Sequence, residues 1–183
     1  DNHSTDRTWS MIQELANQHK NIRAFRNKKN IGPVQNWRRG IELATGDYVK
    51  ILFSDDVMMS DCLPRLMEQF STDVGFVSCS PSIGKTRHQA RQRYRFSRIR
   101  EISYVSATKY LRVALLSFGG LVSPSAAIFR RIDLLENFTP KIEYGTDEAF
   151  EYYGAGPDLL LFLKIAQKYK KIVWINKPLV FFL

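Results

Sequence analysis

The run from Tyr48 to Phe53 is short, largely apolar and carries Val49 and Ile51, and it stops abruptly at Ser54-Asp55-Asp56. A run of that length and composition reads as a buried strand, which sets two adjacent carboxylates at its carboxyl end. Helix signals lie on either side. Upstream, Pro33 suits a first helical turn, Val34, Trp37, Ile41 and Ala44 recur on one face, and Gly46 closes the segment. Earlier still, Trp9, Ile12, Leu15 and Ala16 predict a helix over Ser4 to His19, with Ser4, Thr5 and Asp6 as start residues. Ile22 to Phe25 reads as a short strand. Downstream, Asp61 to Phe70 predicts a helix and Val74 to Ser80 another strand. Helix and strand therefore alternate through the first 80 residues, the pattern of a mostly parallel α/β sheet, and such sheets bind ligands at the carboxyl ends of their strands.

Beyond residue 81 the pattern changes. Ser82 to Arg100 shows no clear period and gathers Lys85, Arg87, Arg91, Arg93, Arg95, Arg98 and Arg100, which reads as an exposed excursion. Ser106 to Leu116 predicts a helix, Ala126 to Phe129 a strand, and Ile132 to Tyr153 an irregular stretch. Pro157 to Tyr169 returns to helix, followed by two terminal strands, Ile172 to Ile175 and Leu179 to Phe182, separated by Asn176-Lys177-Pro178. A chain of 183 residues with 44% apolar content is sized for one domain around one buried core, which excludes intrinsic disorder. Its longest apolar stretches, such as Leu115 to Val122, fall short of the roughly 18 residues that span a bilayer. Cys62 and Cys79 are too few for a disulfide framework and too far apart in sequence for a zinc or redox motif, so they read as core thiols of a reducing compartment. The net charge of +9 favours an anionic partner, whether a phosphate-bearing ligand, nucleic acid or an anionic membrane surface. Asp1 opens the chain with neither an initiator methionine nor an apolar leader, as expected of a segment that begins inside a longer protein.

Two adjacent carboxylates repel each other, and they remain ionised most easily when a hard divalent cation sits between them and a polyphosphate. Asp is also a common turn former, so the dipeptide alone fits a solvated turn better than a cation site. Other signals fail. Gly84-Lys85-Thr86 has Cys79 where a phosphate-binding loop needs glycine, and His3, His19 and His88 lack ligand spacing. Ser123 and Ser125 flank Pro124 without the turn of a serine hydrolase. Trp9, Trp37 and Trp174 read as core residues.

Four stretches, taken in order, carry a resemblance: Asp1-Asn2-His3-Ser4-Thr5-Asp6, then Asn30-Ile31-Gly32 with Asn36, then Ala44-Thr45-Gly46-Asp47-Tyr48, then Leu52-Phe53-Ser54-Asp55-Asp56. At this spacing they resemble the nucleotide-sugar half of family 2 glycosyltransferases. The resemblance covers residues 1 to about 60 and resumes at Gly156-Pro157-Asp158-Leu159 and Lys177-Pro178-Leu179-Val180, which look like the family's Glu-Asp helix and the strand after it. It implies a GT-A-like, Rossmann-like fold: a mostly parallel sheet flanked by helices, in a single domain over 1–183 that lacks the family's first strand. Residues 1–80 would form the nucleotide-sugar half and 81–183 the acceptor side. By the same resemblance Asp1, Asp6 and Asp55 would bind the nucleotide, Asp56 would hold a divalent cation, Mn²⁺ or Mg²⁺, and Asp158 would be the catalytic base. Pro157 stands where the family has an acid, and Lys164 where it often has arginine.

The activity so implied is inverting transfer of a sugar from a nucleotide-diphosphate donor, a UDP-sugar above others, to a hydroxyl of a saccharide or lipid-linked acceptor. The family's roles in bacterial surface polysaccharides imply a cytoplasmic protein near the inner membrane face, in peripheral contact with anionic lipid. No nucleic-acid partner is expected on this reading. The competing reading is a basic nucleic-acid-binding domain that uses residues 85–100, where Tyr94 and Phe96 interleave with arginines.

Overall fold

The computed structural model describes residues 1–85, 101–116, 123–140 and 156–182, together with the backbone of 91–92. Within them lie helices α1 (Thr8–Gln18), α2 (Pro33–Leu43), α3 (Cys62–Met67), α4 (Ala107–Leu116), α5 (Arg131–Asn137) and α6 (Pro157–Lys168). The strands are β1 (Tyr48–Val49), β2 (Val57–Met58), β3 (Val74–Ile83), β4 (Arg91–Gln92), β5 (Ile102–Ser106), β6 (Ala127–Arg130) and β7 (Lys171–Phe182). They form one sheet in the order β1-β6-β3-β7-β2, with β4 paired to β3 and β5 to β7.

Side chains alternate across this sheet, and each face finds its own helices. Phe76, Phe129 and Ile172 join Val34 and Ile41 of α2, Tyr110 of α4 and Leu161, Phe162 and Ile165 of α6 on one face. Val77, Cys79, Val173 and Ile175 turn the other way and pack on Cys62 and Leu66 of α3. The rings of Phe76, Phe129 and Phe162 meet at 4.8 to 5.8 Å between centroids, and the two contacts of Phe162 are edge-on. Such pairs contribute about 0.5–1.5 kcal/mol each beyond the area they bury. Both cysteines are fully buried free thiols, as their isolation in the sequence implied. Asp133 of α5, with only 1% of its side chain exposed, accepts from Lys168 Nζ at 2.8 Å and from the Tyr169 hydroxyl at 2.7 Å, and so ties α5 to the end of α6.

The α/β architecture is as expected, and the sheet is mixed where a mostly parallel one was predicted. Only β3 and β7 pair in parallel among the described residues; β1, β2, β4, β5 and β6 each run against a neighbour. The alternation of the first 80 residues carries no information about the reverse-running strands that later segments contribute. The two predicted terminal strands are one, β7, and its register against β3 jumps from Ile175 to Pro178, leaving Asn176 and Lys177 as a bulge. A bulge is where a strand tolerates proline, which has no N–H to donate.

Ile22 to Phe25 is extended but is not a strand in the described structure, because almost nothing lies beside it. Asp1 alone does: its amino group donates to the Phe25 carbonyl at 2.7 Å, and Asn27 N–H donates to the Asp1 carbonyl at 2.9 Å, the spacing of a single parallel bridge. α1 likewise has no buried residue; Met11 and Leu15 are 56% and 47% exposed. Trp9 is accordingly half-buried under the Arg26 guanidinium and not a core residue, whereas Trp174 is fully buried and donates to Ser80 Oγ. Among the described residues no helix is long and apolar enough to cross a membrane. Most of the arginine-rich stretch, and the irregular stretch beyond residue 140, lie outside the described residues.

Candidate active site

A cleft of about 810 Å³ opens where the first turn of the chain, the start of α2, the acid turn and the start of α6 converge. That volume lies in the range of small-molecule sites. Asp1, Asn36, Trp37, Phe53, Asp55 and Asp158 are on its walls. α1 reaches it with Thr8 and Ile12, and the other two helices at its walls, α2 and α6, start in the same way. Each begins Gly-Pro: Gly32 at φ +79° precedes Pro33, and Gly156 at φ +105° precedes Pro157. The glycine takes a backbone conformation that side chains disfavour, and the proline begins the helix without leaving an N–H unpaired.

The acid turn is held from behind. After β1 the chain runs extended to Phe53, and Asp56 N–H donates to the Phe53 carbonyl at 3.1 Å to close the turn. The Phe53 ring stacks on Trp37 of α2 at 4.8 Å, nearly face to face. Asp55 is exposed on the cleft wall, while the half-buried Asp56 is off those walls, in the surroundings of Ser125. The Ser125 hydroxyl accepts from Phe53 N–H at 2.9 Å. The buried ammonium of Lys50 donates to the Ser125 carbonyl. Burial pushes the Asp56 carboxyl above its ordinary value, with the charge of Asp55 adding to it, against the Ser125 hydrogen bond and Lys50. Burial also pulls the Lys50 ammonium down.

Asp158 sits in the first turn of α6 with one oxygen fixed: Oδ1 accepts from Leu159 N–H at 2.7 Å and Gly156 N–H at 3.1 Å. Its burial raises the carboxyl above the usual carboxylate range, against those backbone hydrogen bonds. Nearby is a residue that the sequence offered no reason to single out. Tyr110 of α4 is 1% exposed, packs edge-on against Phe76, and its buried hydroxyl has no hydrogen-bond partner among the described residues. Burial raises its hydroxyl pKa, and the Asp158 charge adds to that.

The first turn completes the rim. Asn2 accepts from Ile31 N–H at 3.0 Å and from Asn27 Nδ2 at 2.8 Å, and it donates to Asn30 Oδ1 at 2.8 Å. Asn27, 4% exposed, also donates to Asn36 Oδ1 at 2.9 Å and accepts from Arg39. Four of the six asparagines in the first 36 residues, Asn2, Asn27, Asn30 and Asn36, are thus one network. The carboxylate of Asp1 is buried, paired with Arg26 at 3.1 Å and bonded to Ser4. Asp6 is exposed and accepts from Thr8 N–H at 2.9 Å, which lowers its pKa. Of the five aspartates singled out in the sequence, the structure therefore gathers Asp1, Asp55 and Asp158 on one cleft and leaves Asp6 and Asp56 off its walls.

A hard divalent cation takes oxygen ligands. The acid turn offers them, the open carboxylate of Asp55 and the bound one of Asp56. No group of three or more His, Cys, Asp or Glu side chains converges among the described residues. The turn therefore fits a cation that completes its coordination with substrate oxygens and water, as Mg²⁺ and Mn²⁺ do at diphosphates.

Solved structures share this fold. TarS 1–349 of S. aureus, in its complex with UDP-GlcNAc, superposes with a TM-score of 0.72 over 99% of this chain and 47% of that one, at 17% identity. Its UDP complex gives 0.70 at 18% identity, over 99% and 48%. Among curated relatives, the abequosyltransferase RfbV of Salmonella typhimurium is 36% identical over 80 residues, 43% of this chain and 24% of the relative. An uncharacterized glycosyltransferase of Haemophilus influenzae is 34% identical over 65 residues, 36% and 26% respectively. The chain thus spans about half the length of these solved structures and matches about a quarter of the length of the curated relatives. The family model for glycosyl transferase family 2 matches residues 1–135, which takes in the first turn, the asparagine network and the acid turn, and the chain belongs to that family.

Proposed function

We propose that the chain transfers a sugar, with inversion, from a nucleoside-diphosphate donor to an acceptor hydroxyl, in the synthesis of a bacterial surface polysaccharide. One observation carries this reading: Asp55 and Asp158, 103 residues apart in sequence, line a single cleft with the first turn. The names of the relatives support it, one an abequosyltransferase and one solved with UDP-GlcNAc. A UDP-sugar is the donor class we favour, with a saccharide or a lipid-linked saccharide as acceptor.

The chemistry follows from the carboxylates. With Oδ1 of Asp158 fixed by two backbone N–H groups, its second oxygen is the one available to take the proton from an acceptor hydroxyl. The acceptor oxygen then attacks the anomeric carbon opposite the departing diphosphate, and the configuration inverts. Its raised pKa makes it a stronger base than a solvated carboxylate. The partly apolar walls of Trp37 and Phe53 would orient the donor. A divalent cation held at the turn of Asp55 and Asp56 would offset the charge that gathers on the leaving diphosphate.

The test is a thermal-shift panel of UDP, GDP, dTDP and CMP, each with and without Mn²⁺, on the chain and on Asp55→Ala and Asp56→Ala. Stabilisation by one nucleotide that needs Mn²⁺ and is lost in the variants is the expected result. No shift with any nucleotide, in this chain and in a longer one, would overturn the reading.

A further inference from the structure

We propose that Ser125 is a positioning residue for the acid turn, braced by Lys50, and that this bracket aims Asp55 at the cleft. The inference rests on the donor-binding role given to that turn above. Ser125 lies in a single 3₁₀ turn, Pro124–Ala126, just before β6, and is fully buried. It is 69 residues from Asp56 in sequence, yet its hydroxyl accepts from Phe53 N–H at 2.9 Å, at the entry to the acid turn, and draws the pKa of the neighbouring Asp56 carboxyl down against its burial. A hydroxyl has one proton and two lone pairs, so the bond from Phe53 leaves its proton available to that carboxylate.

Lys50 closes the arrangement from the strand side. Its ammonium donates to the carbonyl of the same serine. It thereby ties the residues just before the turn to the residue that holds the turn. A buried ammonium is costly unless bonded, so its presence beneath the acids needs a reason beyond packing. Held at Phe53, the turn sets Asp55 exposed on the cleft wall and Asp56 half-buried off it. The two adjacent acids therefore differ in setting, and the anchor at Ser125 fixes the backbone from which both project. Groups that orient a ligand without touching the cation commonly change metal affinity by about 10- to 100-fold when removed.

The experiment is isothermal titration of UDP with and without Mn²⁺ into the chain, Ser125→Ala and Ser125→Thr, with amide hydrogen exchange on the same samples. Ser125→Ala is expected to weaken Mn²⁺-dependent UDP binding by about tenfold or more. Metal-free UDP binding stays within about twofold, exchange at Phe53 and Asp56 accelerates without ligand, and Ser125→Thr restores the Mn²⁺ dependence. If Ser125→Ala does not fold, Lys50→Met carries the test, with a loss of about threefold in the same Mn²⁺-dependent step. An alanine variant that is folded and binds UDP-Mn²⁺ like the parent overturns the positioning role alone. A parent chain that binds no nucleotide overturns the donor-binding reading, and this inference with it.

Discussion

The two ends of the chain are built on different physical terms. β3, β7 and α6 are dry: Phe76, Phe162, Ile165, Val173 and Ile175 are at most 2% exposed, and their contacts are apolar. The first 36 residues bury few side chains, Asn27, Val34 and the carboxylate of Asp1, and what holds their turns is hydrogen bonding among Asn2, Asn27, Asn30, Asn36 and Asp1. Apolar burial scales with area and tolerates no holes, whereas a polar network sets direction and contributes modestly to net stability. The cleft lies where the two meet. Its acids stand on turns held by hydrogen bonds, and those turns rest on the ends of packed elements.

Substitutions should therefore separate into those that cost stability and those that cost function. The largest effect is expected of Phe162→Ala, which removes a fully buried ring from two edge-on contacts: about 3–5 kcal/mol, read as loss of a cooperative urea transition. Asp158→Asn should leave the melting temperature unchanged or higher near neutrality and reduce transfer by about 10²- to 10⁴-fold. The sign follows from its raised pKa. A carboxyl whose pKa is higher in the folded state stabilises fully below its unfolded value, near 3.9, and that contribution is lost as pH rises through the folded one. Transfer should show an acid limb above the usual carboxylate range, absent in the variant's residual rate; an unshifted limb would remove Asp158 from the role of base.

Gly32→Ala tests the start of α2 and falls between these extremes. A Cβ there meets nothing within 4 Å, so the cost is that of holding φ at +79°, about 1–2 kcal/mol, seen as a shift in the urea midpoint. The smallest effect is expected of Leu15→Gln on α1, within about 0.5 kcal/mol, because that side chain is 47% exposed. A loss of more than about 1.5 kcal/mol in the same titration would show that the outer face of α1 is covered in solution.

What could be read from the sequence followed the same division. α2 was legible because Pro33 starts it and Val34, Trp37 and Ile41 recur at its period, and β3 because an apolar run is what a strand buried on both faces requires. The strand expected at Ile22 to Phe25 was not found, since a strand is a property of a pair and only Asp1 makes ladder-like backbone bonds to this segment among the described residues. Pro178 was read as a break because proline normally ends a ladder; only the parallel register with β3 shows it carried through in a bulge. At the cleft, residue types were legible and directions were not. Asp55 lines the cleft and Asp56 does not, on a turn anchored by Ser125, a serine that sequence reasoning considered only as a nucleophile and dismissed.

The parallel ladder between β3 and β7 also sets an order of events. Its partners, from Val74 with Lys171 to Ile83 with Phe182, are about 100 residues apart, so folding must close that loop before the ladder returns any energy. During synthesis the acid turn leaves the ribosome well before Ser125, and long before β7. Until β7 docks, Asp55 and Asp56 lie on an unbraced segment, and the nascent chain can fold its helices but cannot yet present the cleft. The cleft should therefore form late and all at once, with the completion of β7.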